Sequence, residues 1–172
     1  MASVDITGGS GTGGNIFVSG AYLSAYDTGN YSIGAAYELK TLQFGTTTLS
    51  SDVTITGVNN TDITFSSPGI YNIAFSVQVT CNTPQAHLFY LWLCLNGSPL
   101  ANTNSVVTIH GTHGGNNGHS VAAWNFLMQV SATDKLQICW SADNTAIAIQ
   151  TIPSPAAGIP VSPAAILSVT QS

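Results

Sequence analysis

The chain has 172 residues, of which 44% are hydrophobic and only 5% are Asp, Glu, Lys or Arg. Lys40 and Lys135 are its only Lys or Arg residues, whereas nucleic acid and anionic lipid require clustered basic side chains, so we exclude both as partners. The length suits one domain with a sizeable core. A surface with so few charges is poorly protected against association, so we expect an obligate oligomer.

Residues 1–20 are rich in glycine, with seven residues from Gly8 to Gly14 that read GGSGTGG. The segment matches a dinucleotide-binding fingerprint formally, but it follows no predicted strand and opens no helix, so we discard that match. A glycine-rich segment loses much conformational entropy when it is ordered. We therefore predict an extended arm that is held by a neighbouring subunit or a lattice, or folded back on its own oligomer.

Beyond the arm, short segments alternate between apolar and polar residues and are separated by turn residues, which is typical of an all-β domain. The clearest runs from Tyr71 to Val79, where every second residue is apolar, and the Pro68-Gly69 turn precedes it. No segment has convincing helical periodicity. Strands are predicted near residues 21–26, 36–44, 53–55, 62–65, 71–80, 87–95, 105–110, 120–130, 135–141, 146–152 and 164–170.

The predicted strand at residues 88–95 is apolar on both faces, and residues 124–128 show the same pattern more weakly. Each sheet of a two-layer sandwich has one inner and one outer face, so such a strand needs a cover on its second side. A subunit interface would supply that cover. A long loop folded over the strand is the alternative.

The order of several motifs resembles that of the C1q/tumour-necrosis-factor-like jelly roll. The motifs are Ala25-Tyr26-Asp27, Pro68-Gly69-Ile70-Tyr71 with Phe75, Leu95-Asn96-Gly97, the segment 127–138 and the closing segment 165–171. More narrowly, the chain is similar to a group of small virion proteins of tailed bacteriophages. The motifs that carry this narrower resemblance are Tyr26-Asp27-Thr28, the segment 121–126 and Trp140-Ser141-Ala142-Asp143.

This resemblance covers residues 21–172 and implies an antiparallel two-sheet jelly-roll sandwich of about ten strands that forms a homotrimer. The resemblance places the trimer contact on the inner sheet, near the aromatic residues of the Gly69-x-Tyr71 strand, the strand at residues 136–140 and the terminal strand. Periodicity alone points instead to the strand around Trp92. The expected interface residues from both arguments are Tyr22, Tyr26, Tyr71, Phe75, Trp92, Trp124 and Trp140.

Few residues are candidates for catalysis or for binding a metal or cofactor. His110, His113 and His119 form the one group that resembles metal ligands, but they lie around a predicted glycine-rich loop tip without a nearby Cys or carboxylate, so we expect no metal and no other cofactor. The carboxylates are scattered, and no nucleophile motif such as Gly-x-Ser-x-Gly occurs, so we predict no enzymatic activity. The cysteines lack metal spacing and are expected to be buried thiols; they are Cys81, Cys94 and Cys139.

We therefore expect a trimeric capsid decoration, or cement, protein that clamps the major capsid protein lattice of a phage head. In this hypothesis the arm contacts the capsid through Ile6, Thr7, Ser10, Thr12, Asn15 and Phe17. The sequence shows no signal peptide and no run of about 18 apolar residues, so we expect synthesis in the host cytoplasm, location on the virion and no membrane partner. The alternatives are a fibre-tip knob that recognises host glycans through exposed aromatic rings and a secreted C1q-like ligand.

Overall fold

The computed structural model describes residues 20–172, which form two antiparallel seven-stranded sheets and contain no helix. The prediction of an all-β fold is therefore confirmed, and the two sheets form a sandwich-like arrangement. Within the described residues no helix could span a membrane. The strands are β1 (Tyr22–Asp27), β2 (Asn30–Ser32), β3 (Lys40–Thr41), β4 (Thr46–Ser51), β5 (Val53–Thr56), β6 (Asp62–Phe65), β7 (Gly69–Cys81), β8 (His87–Leu95), β9 (Ser98–Pro99), β10 (Ser105–Ile109), β11 (Gly118–Val130), β12 (Lys135–Ala142), β13 (Ile147–Gln150) and β14 (Ala165–Gln171).

The first sheet, called sheet A here, is organised around β7. One edge of β7 pairs with β11 over its whole length, and the other edge pairs first with β14 and then with β13. Beyond them, β1 pairs with β14 and β4 pairs with β1, while β2 pairs with β13. The alternation between Tyr71 and Val79 directs five apolar side chains inward, which fixes the register of every neighbouring strand.

The second sheet, called sheet B here, has the order β10-β8-β12-β6-β5. Strand β9 lies at the edge of β8, and β3 lies at the edge of β12. The inward side chains of β8 and β12 face those of sheet A. A single buried hydrophobic cluster draws on both sheets, and its largest fully buried members are Trp140, Tyr71, Phe44, Phe65 and Phe89.

The strand predicted at residues 36–44 is mostly wrong, because only β3, Lys40–Thr41, is extended and paired there. Tyr37 has a left-handed backbone with φ of 61°, which breaks an extended run. Leu42 and Phe44 are nevertheless buried in the core, and their N–H groups donate hydrogen bonds to the carbonyls of Ile138 and Asn60 outside the regular ladder. Strand β4 was missed because five of its six residues are Thr or Ser and almost all are exposed, as is common for an edge strand.

A buried carboxylate joins two connecting segments and strand β2 at one end of sheet A. Asp27 is only 7% exposed, and its Oδ1 accepts hydrogen bonds from the Gly29 N–H and the Tyr31 hydroxyl. Its Oδ2 accepts a 2.8 Å hydrogen bond from the Gly45 N–H. A Cβ at Gly29 would lie 2.2 Å from the Tyr31 hydroxyl oxygen and 2.8 Å from Asp27 Oδ1, so a larger residue there would displace these side chains. The Asp27 carboxylate thus ties the β1–β2 turn to the segment that enters β4.

We expect Asp27→Ala to lower the free energy of unfolding by about 2–4 kcal/mol, because two backbone N–H groups and a hydroxyl lose their acceptor. Tyr31→Phe removes one of the three donors and is expected to cost about 1–2 kcal/mol. The free energy of unfolding lost in the double variant should be smaller than the sum of the two single losses. Urea denaturation measures all three, and an Asp27→Ala loss below about 1 kcal/mol would contradict the role assigned to this carboxylate.

Candidate association surface

The outer face of sheet A, which is the side away from the core, carries no charged side chain on its strands. The seven strands contain one carboxylate, Asp27, which points inward, and neither Lys nor Arg. The face instead exposes large apolar side chains where alternation places the outward residues. These side chains are Ile70, Val121, Leu127 and Ile166.

Small residues line the middle of this face. Ser76 of β7 lies opposite Ala123 on one side and Ile166 on the other, and Ala74 lies opposite Asn125 and Ser168. Together they line a shallow depression of about 500 Å³. Because short side chains leave the backbone of the sheet accessible, a complementary protein surface can approach closely there. The larger apolar residues at the margins add area that is removed from water on contact.

Strand β11 forms one edge of sheet A. It has 13 residues and pairs with β7 alone among the described strands. Its inward side chains Trp124, Phe126 and Met128 are only half-buried, because the sandwich is open along this edge. Its outward side chain Leu127 is 69% exposed. Strand β11 therefore offers an unpaired backbone edge that has apolar residues on both sides.

The predicted interface residues do not lie on one surface. Tyr22 and Tyr26 are half-buried on the outer face of sheet A, where Tyr26 lies opposite Ile166. Trp124 lies at the edge formed by β11. Trp92 lies on the outer face of sheet B, which is the opposite side of the sandwich.

The remaining three predicted residues lie in the interior of the chain. Tyr71 packs edge-on against Phe65 at 4.7 Å between ring centroids, and its hydroxyl donates a 2.9 Å hydrogen bond to the Ser67 carbonyl. Burial raises the pKa of Tyr71, with a smaller contribution from Asp52. Phe75 and Trp140 are also buried. These three side chains belong to the core and have almost no area left to bury against another chain.

Sequence reasoning missed Ile70, Val121, Leu127 and Ile166 as candidate surface residues. Each lies in the phase of its strand that alternation assigns to solvent. The available signal was the same one that was noted for residues 124–128, where apolar residues occupy both phases of a strand. The predicted arm contacts Ile6, Thr7, Ser10, Thr12, Asn15 and Phe17 lie outside the described residues.

The side chains that were considered for catalysis or metal binding do not cluster in the described part of the chain. Within residues 20–172, no three His, Cys, Asp or Glu side chains come together as metal ligands. His87 Nδ1 lies 3.3 Å from Asp143 Oδ1, and that carboxylate also accepts the Leu88 N–H. The three cysteines are free and buried, as expected. Burial raises the pKa of Cys139, as does its contact with Cys94, which keeps this thiol protonated.

A polar clamp fixes the end of β11. Asp134 accepts hydrogen bonds from Asn96 Nδ2 at 2.8 Å and from the Ser131 N–H at 2.7 Å, and these bonds lower its pKa. Asn96 Oδ1 in turn accepts the Lys135 N–H. The turn that follows β11 is therefore held against the β8–β9 turn of sheet B.

We expect Asp134→Asn to be less stable than the wild type at pH 7, by less than about 1 kcal/mol because the site is exposed. The folded pKa is depressed, so the carboxylate stabilises the fold above its unfolded pKa of about 3.9 and loses this contribution as the pH falls through the folded pKa. The difference between wild type and variant should therefore vanish in strong acid. Urea denaturation at neutral and acid pH tests this, and a pH-independent difference would contradict it.

No protein-family model matches the chain, and no curated protein is significantly similar to it.

Proposed function

We propose that the chain is a non-enzymatic structural protein that functions as a homotrimer on the surface of a virion, where it decorates and stabilises a phage head lattice. The observation that carries the self-association is β11, a long edge strand without a charged residue or proline. Natural edge strands of this length are normally protected by lysine, proline, a bulge or a covering element. An unprotected edge beside an uncharged face favours permanent burial by another subunit.

The strand order supports the finer assignment to a jelly roll. Sheet A contains the succession β11-β7-β14-β1, and sheet B contains β10-β8-β12-β6, so strands that are distant in sequence are neighbours in both sheets. In this arrangement the chain passes from sheet A to sheet B between β7 and β8, returns to sheet A between β10 and β11, and enters sheet B again between β11 and β12. Such alternation between two antiparallel sheets is a feature of jelly rolls.

The proposed association surface has two unlike parts, the edge formed by β11 and the outer face of sheet A, and this is compatible with a cyclic trimer. The edge formed by β11, with Trp124 and Phe126, differs from the outer face of sheet A, with its small central residues. When the edge of one protomer packs on the face of the next, the contact is heterologous, and such a contact closes into a ring if its rotation permits. The number three comes from the resemblance to C1q/tumour-necrosis-factor-like proteins.

Attachment to a capsid is the second part of the proposal. Three arms, residues 1–20 of each chain, would bind the lattice together, and linked weak contacts reach high avidity. A surface that is rich in Thr, Ser and Asn and poor in charge suits permanent contact, because few ionised groups must leave water. This part rests on the resemblance to phage virion proteins and on the composition.

We expect Ala123→Glu to convert the trimer into monomers, because each interface would then bury a carboxylate without a partner. Ala123 lies in the middle of the depression, opposite Ser76. Val58→Glu is the matched control, since Val58 is 84% exposed outside sheet A. Light scattering coupled to size-exclusion chromatography measures the mass, and circular dichroism checks the fold. A monomeric wild-type chain, or a folded Ala123→Glu trimer, would overturn the proposed interface.

Immunogold electron microscopy of source virions tests the proposed location. We expect label spread over the head at high copy number, and deletion of residues 2–14 should abolish capsid binding while the trimer stays intact. Label confined to fibre or tail tips would instead establish a host-recognition role. Absence of label from every particle would refute the virion assignment.

A further inference from the structure

The outer edge of β11 is suited to receive a further strand. Its pairing with β7 runs from Gly118 to Val130 without a register shift, so no bulge turns the edge away from a partner. The strand contains no proline and no Lys, Arg, Asp or Glu, which are the residues that usually block an edge. Backbone N–H and C=O groups at alternate positions of its 13 residues therefore point away from β7.

A strand that completes this edge must carry apolar residues in both phases. On the core side, Trp124, Phe126 and Met128 are only half-buried, because the sandwich is open there. On the outer side, Leu127 is 69% exposed and Val121 is 57% exposed. The side chains of an added strand would lie beside these residues on both faces, so apolar residues are favoured at consecutive positions.

Residues 1–19, which precede the described part of the chain, contain one run of three consecutive apolar residues, Ile16-Phe17-Val18. Isoleucine, phenylalanine and valine are enriched in strands, and the run contains no charge, proline or glycine. Val4 and Ile6 alternate with polar residues and are therefore apolar in one phase only. Residues 15–19, with this run at their centre, are the segment that matches the edge of β11.

The length of the chain excludes pairing of this run with β11 of the same chain. Gly20 precedes β1, and both β14 and β7 lie between β1 and β11. With about 4.8 Å between neighbouring strands, a strand outside β11 lies about 19 Å from β1. Ile16 is four residues from Gly20, and four extended residues span at most about 14 Å. The run can therefore complete β11 only in a second copy of the chain.

The contact proposed above between subunits brings this segment and the edge of β11 together. The depression of about 500 Å³ on the outer face of sheet A shares Ser168 with a second depression, of about 400 Å³. The lining of this second depression includes Tyr22, Leu49 and Gly20, the residue that follows residues 1–19. The face that receives the edge of β11 is therefore continuous with the point at which the arm begins.

We propose that residues 15–19 of one chain add as a strand to the outer edge of β11 in a second copy and so clasp neighbouring subunits. This inference rests on the self-association proposed above and names the segment that completes its edge. Residues 1–14 remain outside the added strand and are available for the capsid contact. Each chain donates one strand and accepts one, as a heterologous ring requires.

Hydrogen exchange of the β11 backbone amides, measured by NMR on the full chain, tests the added strand. The alternate N–H groups that point away from β7 should exchange slowly in the wild type. Phe17→Asp should accelerate their exchange at least about tenfold, because the added strand would then bury a carboxylate. Thr12→Asp places the same charge outside the segment and is the matched control, with unchanged exchange. Equal exchange in Phe17→Asp and the wild type, or equal acceleration in both variants, would overturn the inference.

Cross-linking between two kinds of chain tests whether the segment binds a second copy. Chains with Phe17→Cys or Val18→Cys are refolded together with chains that carry a cysteine at one of three β11 positions, and the mixture is oxidised. The three positions are Val121, Asn125 and Gln129, which are spaced by four residues along the outward phase. The three native cysteines are buried, so the introduced thiols are the ones that react.

We expect a disulfide that joins one chain of each kind for at least one pair, and none when Val58→Cys replaces the β11 position. Light scattering on the same samples separates this inference from the self-association on which it rests. A trimeric mass without any cross-link to β11 overturns the clasp alone. A monomeric wild-type chain overturns the self-association itself.

Discussion

The whole arrangement depends on one strand that is hydrogen-bonded along both edges. β7 pairs with β11 on one side and with β14 and β13 on the other, so three strands take their register from its 13 residues. Its inward residues lie at the centre of the core, and two of its outward residues, Ala74 and Ser76, line the depression on sheet A. Because a strand has a period of two, the same alternation that buries Tyr71, Ile73 and Phe75 determines which residues reach the outer surface.

The two outer faces differ in character although neither is strongly charged. The face of sheet A is shallow, with alanine and serine at its centre and aliphatic residues at its margins, and it continues into the open edge of β11. The face of sheet B has a depression of similar volume, about 480 Å³, which is lined by the aromatic rings of Tyr37, Tyr90 and Trp92. A surface of small residues permits the close approach of a rigid partner. We therefore propose the face of sheet A, rather than that of sheet B, for subunit contact.

Buried polar groups also fall into two kinds. Asp27 accepts three hydrogen bonds and Asp143 fixes the N–H of Leu88, so these carboxylates organise turns and strand ends. Ser141 Oγ and Trp140 Nε1 have no partner among the described residues, although both are buried. The carboxylates that accept these hydrogen bonds therefore have a structural role.

The sequence by itself determined the all-β class and the position of the long strands, because strict alternation over β7 and the apolar run of β8 leave few other conformations. The small number of charged residues also led us to expect that part of the surface is covered in an oligomer. Prediction from the sequence failed where local pattern and tertiary role diverge: residues 36–44 alternate between apolar and polar but lie mostly outside the sheet ladder, and β4 is paired although it is mostly polar. Only the tertiary structure decided which aromatic residues are interior and which are exposed, because alternation gives the phase of a strand and not the element that covers it. Tyr71 and Trp140 are therefore core residues, whereas Trp92 and Tyr22 lie on opposite outer faces.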